Sequence, residues 1–488
     1  MLKYFQKKLI ELNEKEYGES YSTFRWVSED RIREAAAERT EILQALSGNI
    51  RFGFRGTKLD YEGLSPGCLS CGEGTWSCLF INQICNGQCF YCPTGQTHRA
   101  EPSTNGILMQ NPKEYVSYLK AFNFRGASIS GGEPFLTFER ALTYLQAVRQ
   151  AFGDGIYFWL YTNGIAVTRE KLKVLKEARL DEIRFDISAN RYDLAKAALA
   201  VEEIGTVTVE IPAIPEDYEI MKRIIPELKA MGVKHLNLHQ LRCTPHNREN
   251  LVKRGYTFLH GPKVTVLDSE LTALRLLRYT KEQGIGLPIN YCSHVYKNRF
   301  QTAGQRRRLA PHVCKPYEDI TEAGAIRRMY IKGDPAELAR LAERFENHGP
   351  EGVAWYMPKS HDCLYFNESL WSEQDLAGHT LHLDYFLPVL NPGPSYHFSF
   401  REIPLTRKKA VFVEKVQAIR GKELKGASLA SFAKHFMKSG RLGERNAGEE
   451  EVGSAFTKPF EALSELLHLR VDSHNQSHQD FVNIPNHL

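Results

Sequence analysis

Strand-like and helix-like segments alternate from about residue 78 to residue 240, and this rhythm limits the fold more tightly than any other property of the chain. β-rich runs at Leu79 to Ile84, Gly126 to Ser130, Ile156 to Tyr161, Glu182 to Ile187, Thr206 to Ile211 and His235 to His239 are separated by helical patterns. The helices are expected at Pro112 to Ala121, Thr137 to Ala151, Arg169 to Ala178, Tyr192 to Leu199 and Tyr218 to Ala230. Strands joined through helices run parallel, because each helix returns the chain to the edge where the last strand began. The expectation is an α/β fold with a full or partial βα barrel, to which a helix at Asp268 to Gln283 and a strand at Ile285 to Tyr291 add a further unit. In a barrel, chemistry gathers at the carboxyl ends of the strands. The turn-rich signals fall there: Cys85, Ser130-Gly131-Gly132-Glu133-Pro134, Thr162-Asn163-Gly164 and Asp186-Ile187-Ser188.

The flanks differ in character. Residues 1–66 read as an N-terminal helical extension, with Ser28-Glu29-Asp30 capping a helix over Arg31 to Leu46 and a short strand at Arg51 to Phe54. The barrel and its preceding cysteine segment take residues 67–323, and residues 324–438 read as a C-terminal α+β domain. Its expected strands are Ile326 to Ile331, Val353 to Met357, Cys363 to Phe366, Leu381 to Val389 and Tyr396 to Phe400. Asp334-Pro335 opens a helix to Phe345, Ser428 to Met437 forms another, and Leu405 to Ile419 fits either state. Residues 439–488 read as a linker and a disordered tail, with Phe456 to Leu469 a candidate last helix.

No apolar run approaches the roughly 20 residues of a membrane span, and the first residues lack a signal-peptide core, so the expected location is cytoplasmic. A net charge of +5 over 488 residues excludes a strongly basic nucleic-acid coat. Ten cysteines are present, and six of them lie between Cys68 and Cys92, which is the clustering of a metal site in a reducing compartment.

Cys85, Cys89 and Cys92 offer three soft thiolates at Cys-x3-Cys-x2-Cys spacing, in a turn that follows the first strand. Three ligands leave one metal position open to substrate or cofactor, unlike a closed structural site. Gly131 and Gly132 permit close backbone approach one strand later, and Glu133 supplies an acceptor for an ammonium. With Tyr91 before the last thiol, this set resembles the signature of the radical S-adenosylmethionine (SAM) superfamily, and most closely its pyruvate formate-lyase activating-enzyme-like members. The resemblance spans about residues 78–241.

The resemblance implies a barrel of radical SAM type and a [4Fe–4S] cluster on Cys85, Cys89 and Cys92. The S-adenosyl-L-methionine amino and carboxylate groups would chelate the open iron. It implies cofactor contacts from Tyr91, Gly131, Gly132 and Glu133, with Asp186 and Ser188 near the ribose and carboxylate. The implied activity is that of an anaerobic oxidoreductase or transferase. It takes one electron from a donor such as flavodoxin or ferredoxin, forms a 5′-deoxyadenosyl radical, and abstracts hydrogen from a peptide, protein or small-molecule substrate. Thr162-Asn163-Gly164 is similar to a turn of the same relatives, although Tyr161 stands where an acidic residue often precedes it. Glu210, Asn237, His239 and Gln240 are further candidates for the barrel interior.

Cys68, Cys71 and Cys78 form a second thiol group, read as an auxiliary iron–sulfur cluster or a zinc site. A straight strand from Cys78 to Cys85 would set the two sites about 23 Å apart, at opposite mouths of the barrel. A fourth ligand would come from Cys243, Cys292, Cys314 or Cys363; Cys314 reaches the far mouth most easily, with Cys292 next. The basic run Lys297, Arg299, Arg306, Arg307, Arg308 and Lys315 reads as a solvated helix face before an RNA contact. The competing classes are therefore a non-catalytic iron–sulfur or zinc protein that binds RNA, and a radical SAM enzyme that modifies RNA.

Overall fold

A computed structural model describes residues 2–48, 51–60, 63–98, 100–347, 351–371 and 378–437. The chain divides into two compact units, Met1–Asn298 and one that begins at Arg299. The expected boundary at residues 323 and 324 falls within the second unit. The expected linker, last helix and tail of 439–488 lie outside the described residues.

The first unit carries seven parallel strands, β1 (Trp76–Phe80), β2 (Gly126–Ser130), β3 (Tyr157–Thr162), β4 (Glu182–Phe185), β5 (Thr206–Pro212), β6 (His235–His239) and β7 (Ile289–Cys292). They pair in chain order, and beyond β1 an antiparallel hairpin, Ser103–Thr104 with Ile107–Leu108, extends the edge. The pairing path does not close on itself among the described residues, so the barrel is partial. Central strands are buried on both faces: Ile183, Phe185, Val207, Val209, Leu236 and Leu238 are almost wholly inaccessible. Their continuous apolar run is what a parallel sheet covered by helices requires.

Helices begin where the sequence offers caps. Asn111 accepts from the Glu114 amide before Pro112–Ala121, and Thr168 from the Lys171 amide before Arg169–Glu177. Ser28 does the same for Glu29–Leu46 through the Arg31 amide. The N-terminal helices pack within the first unit. Tyr17, Phe24 and Trp26 share an apolar cluster with Phe258, Leu241, Phe90 and Tyr91, and Asn13 Nδ2 donates to the Gly261 carbonyl at 3.0 Å.

Three expected elements are corrected, and one of them is the strand at Tyr396 to Phe400, which runs over Phe400–Thr406 instead. Arg51 to Phe54 is a turn, with φ of 49° at Phe54 and 52° at Arg55, a left-handed pair that a strand cannot contain. The first strand ends at Phe80 instead of running to Ile84, because the buried side chain of Asn82 turns inward to bond the next strand's loop. Gln83–Ile84 then pairs separately with Thr97–His98.

The second unit holds an antiparallel sheet built on β8 (Ile326–Lys332), β9 (Cys363–Phe366), β10 (Leu381–Asn391), β11 (Phe400–Thr406) and β12 (Lys409–Leu424). Helix Pro335–Glu346 contributes Leu338, Leu341 and Phe345 to its core. The ambiguous segment 405–419 lies largely in β12, where alternate residues Val411 and Val413 are buried.

Candidate active site

The cysteine loop begins directly after Gln83–Ile84 and stands at the carboxyl end of β1. Two of its thiols flank Gly87: a Cβ there would lie 3.5 Å from both Cys85 Sγ and Cys89 Sγ and 3.4 Å from Asn163 Nδ2. Each sulfur is bonded by its surroundings. Gly87 N donates to Cys85 Sγ at 3.3 Å, Asn163 Nδ2 to the same sulfur at 3.6 Å, and Gln96 Nε2 to Cys92 Sγ at 3.1 Å. Burial raises the Cys85 thiol, which the Gly87 amide draws back, and it pushes Cys89 up to about 12. Metal binding would displace those protons. Among the described residues no three metal-ligating groups meet at the spacing of a single ion. A four-iron cluster separates its thiolates more widely than one ion does, since each sulfur binds a different iron. Three thiols on one loop, with N–H donors aimed at Cys85 and Cys92 and the Tyr91 hydroxyl at Cys89, fit such a cluster.

The second loop is locked beneath the first. Gly131 adopts φ of 122°, and a Cβ on Gly132 would lie 1.8 Å from the Ile84 carbonyl oxygen. Only a residue without a side chain permits that approach. Gly132 N donates to the Asn82 carbonyl at 3.2 Å and Glu133 N to the Ile84 carbonyl at 2.7 Å. Asn82, which sequence reasoning missed, ties the joint: Oδ1 accepts from Ile84 N and Gly132 N, while Nδ2 donates to the Glu133 carbonyl and Thr137 Oγ1. Its only signal in the sequence is a polar residue inside an apolar run.

Glu133, read from sequence as an ammonium acceptor, has a different set of partners in the structure. It is buried, and its carboxylate accepts from Phe135 N at 3.0 Å, Thr162 Oγ1 at 2.8 Å and Asn163 N at 2.7 Å. Burial raises its pKa, and those donors oppose the rise. Asn163 in turn reaches Asn86 Oδ1 at 2.7 Å. A chain of contacts thus runs from the β2 loop through the β3 loop into the cysteine loop.

Tyr91 joins the β4 loop to the same place. Its hydroxyl lies 2.9 Å from Asp186 Oδ2 and 2.6 Å from Ser188 Oγ, and Ser188 Oγ donates to Asp186 Oδ1 at 2.6 Å. The far side of the cysteine loop is fastened by residues that sequence reasoning did not single out. Thr244 Oγ1 donates to the Pro93 carbonyl at 2.8 Å, Asn247 Nδ2 to the Tyr91 carbonyl at 2.9 Å, and the Arg254 guanidinium sits 3.5 Å over the Phe90 ring.

Inside the barrel, inward positions of neighbouring strands form a polar network. Arg184 Nη1 donates to Glu210 Oε2 at 2.7 Å, Glu210 Oε1 meets His239 Nε2 at 2.6 Å, and Lys297 Nζ lies 3.1 Å from His239 Nδ1. Arg184 and His239 hold the Glu210 carboxyl well below its usual range against the cost of burial. Gln240 Oε1 accepts from His294 N. The short helix Pro66–Gly72 carries Cys68 and Cys71 to the inner face, where Cys68 Sγ touches Asn237 and Asn290. Cys78, on β1, bonds the Ser128 and Ser130 hydroxyls. Cys292 ends β7, Cys243 is buried beside Tyr17, and Cys314 and Cys363 belong to the second unit.

The basic run is not one solvated face. Lys297 turns to His239, Arg299 is buried, and Arg306 Nε donates to the Ala323 carbonyl at 2.8 Å. No helix among the described residues is long and apolar enough to cross a membrane.

Residues 79–198 match the family model described as the Radical SAM superfamily, the segment that holds the cysteine loop and the loops of β2 to β4. The "Putative glycyl-radical enzyme activating enzyme MJ0021" of Methanocaldococcus jannaschii is 33% identical over 369 residues, covering 72% of this chain and 96% of that protein. The chain belongs to the radical SAM superfamily as an activating-enzyme-like member, and it is an enzyme. Family membership implies a [4Fe–4S] cluster and S-adenosylmethionine. Two structures of Streptococcus suis SuiB were also found, one bound to precursor peptide SuiA and one to S-adenosylmethionine. They share 13% and 12% identity, cover 45% and 60% of this chain and 49% and 61% of theirs, and each gives a TM-score of 0.33.

Proposed function

We propose that Cys85, Cys89 and Cys92 hold the [4Fe–4S] cluster and that the enzyme abstracts hydrogen from a substrate inside the barrel. When bound, the cluster and S-adenosylmethionine supply a 5′-deoxyadenosyl radical by one-electron reductive cleavage. The observation that carries this reading is the contact chain from Glu133 through Asn163 to Cys85 and Asn86, which fixes three strand-end loops around the three sulfurs. The chain's own residues then have defined tasks. Gly131 and Gly132 let the β2 loop pack against the Asn82 and Ile84 backbone beside the cysteine loop, where the amino acid moiety of the cofactor would bind, and Tyr91, Asp186 and Ser188 offer hydroxyl and carboxylate groups to its ribose. Glu133 positions Asn163 instead of needing to touch the cofactor.

The likeness to a glycyl-radical enzyme activating enzyme supports a glycine Cα–H of a partner polypeptide as the hydrogen source. A cytoplasmic, oxygen-poor setting and a flavodoxin or ferredoxin donor suit that chemistry. The engaged basic run gives no separate support to RNA as substrate. The test is anaerobic reconstitution followed by dithionite and S-adenosylmethionine. 5′-Deoxyadenosine is expected from the native chain and not from Cys89→Ala; a fully loaded cluster that yields none defeats the reading.

A further inference from the structure

The inner face of the barrel gathers a second set of thiols that the site above does not use. On the helix Pro66–Gly72, Cys68 and Cys71 are three residues apart and so share a face. Cys68 is buried, and its sulfur receives two amide donors, Asn237 Nδ2 and Asn290 Nδ2, each at 3.4 Å. The same thiol also lies 3.6 Å from Asn237 Oδ1. Two N–H groups aimed at one buried sulfur are matched to a thiolate, since a neutral thiol is a weak acceptor. Cys85 has the same surroundings, a backbone amide and an asparagine amide.

Asn290 leads to the third thiol. Cys292 follows it by two residues on β7 and so lies on the same face of the strand, opposite His239 in register. Tyr296 closes the group: its hydroxyl lies 3.5 Å from the Cys68 carbonyl and bonds the Cys71 thiol. Beside it stands Lys58, 1% exposed, with Nζ 2.8 Å from Asn290 Oδ1, 3.2 Å from the Tyr291 carbonyl and 3.6 Å over the Tyr296 ring. None of these partners is a carboxylate. A buried ammonium without a counter-ion is costly, and the Lys58 charge acts on the Cys68 and Cys71 thiols.

We infer that Cys68, Cys71 and Cys292 hold a second iron–sulfur cluster inside the barrel, with the Lys58 ammonium as its charge partner. A dicationic four-iron core on three thiolates carries one net negative charge, which Lys58 offsets. Cys78, engaged by Ser128 and Ser130, is left out of this set, and so is Cys314. Three thiolates would leave one iron without a protein thiolate ligand.

The test begins from the full chain with Cys85→Ala, Cys89→Ala and Cys92→Ala combined, so failure of the first cluster cannot affect it. After anaerobic reconstitution it is expected to retain about four irons per chain and a dithionite-reduced EPR signal that S-adenosylmethionine does not alter. Adding Cys68→Ala, Cys71→Ala or Cys292→Ala removes that iron; adding Cys78→Ala or Cys314→Ala leaves it. In the otherwise native chain, Cys292→Ala lowers iron from about eight to about four and keeps the S-adenosylmethionine-sensitive signal, which a misfolded chain would lose. Lys58→Met, which keeps every thiol, moves the second signal to lower potential. Iron-free triple variant, zinc in place of iron, dependence on Cys78 instead of Cys292, or an unmoved potential in Lys58→Met each overturns the assignment.

Discussion

Glu133→Gln separates two accounts of the Gly-Gly-Glu turn. The native carboxylate accepts three hydrogen bonds in a buried setting, two at Oε1 from Phe135 N and Thr162 Oγ1 and one at Oε2 from Asn163 N. A glutamine keeps its carbonyl oxygen on the first two donors and must then turn an N–H group toward the Asn163 N–H. One charge-assisted bond is lost and a buried backbone donor is left unpaired, a combined cost of about 2–4 kcal/mol. Urea unfolding of the metal-free chain, without S-adenosylmethionine, measures this directly. For a unit of this size, Met1–Asn298, that loss corresponds to a fall of roughly 3–6 °C in melting temperature. Because Asn163 contacts Cys85 and Asn86, the same variant is expected to cleave S-adenosylmethionine more slowly even when fully loaded. If Glu133→Gln unfolds within about 0.5 kcal/mol of the native chain and only weakens cofactor binding, the carboxylate serves the cofactor's ammonium and the bracing argument is refuted.

Gly132→Ala places a methyl 1.8 Å from the Ile84 carbonyl oxygen, between two backbone segments joined by hydrogen bonds. The loop must move away from the cysteines, so the S-adenosylmethionine-sensitive cluster signal and 5′-deoxyadenosine formation should both fall at least tenfold; near-native values would show that the segments part freely. His260 stacks on Trp26 with ring centroids 3.8 Å apart and contacts Tyr21 and Asn13, and burial lowers its pKa to about 4 from 6.5. The folded state therefore binds fewer protons than the unfolded state between these values, so this group's contribution to stability is present above pH 6.5 and declines as pH falls toward 4. Melting temperature against pH should show a shallower acid decline in His260→Phe than in the native chain; identical slopes exclude this group as the cause.

Much of the fold was legible because the signals are local. Helix Pro112–Ala121 has its Asn cap and Pro start in sequence, and β2 and β6 are bounded by turn residues, so each was read at its true limits. Ile285 to Tyr291 was read early because apolar residues alone cannot say where pairing begins; the register with β6 starts at Ile289. The segment 405–419 was ambiguous for the same reason, and its long-range pairing with β10 makes it a strand.

The sequence by itself determined the class of chemistry. The spacing of Cys85, Cys89 and Cys92 and the glycines of the next strand's turn are local facts, since coordination and tight turns are set by residues a few positions apart. Tertiary structure decided what each polar group does. Asn82, Thr244 and Asn247 carry no local signature, because their roles depend on partners 50 or more residues away, as in Asn82 Oδ1 with Gly132 N and Asn247 Nδ2 with the Tyr91 carbonyl. Glu133 carries an evident one, but its three donors within the chain, Phe135 N, Thr162 Oγ1 and Asn163 N, could be found only from the packed loops. The same holds for Cys292, whose place near Cys71 comes from the register of β6 with β7 and from no spacing in the chain.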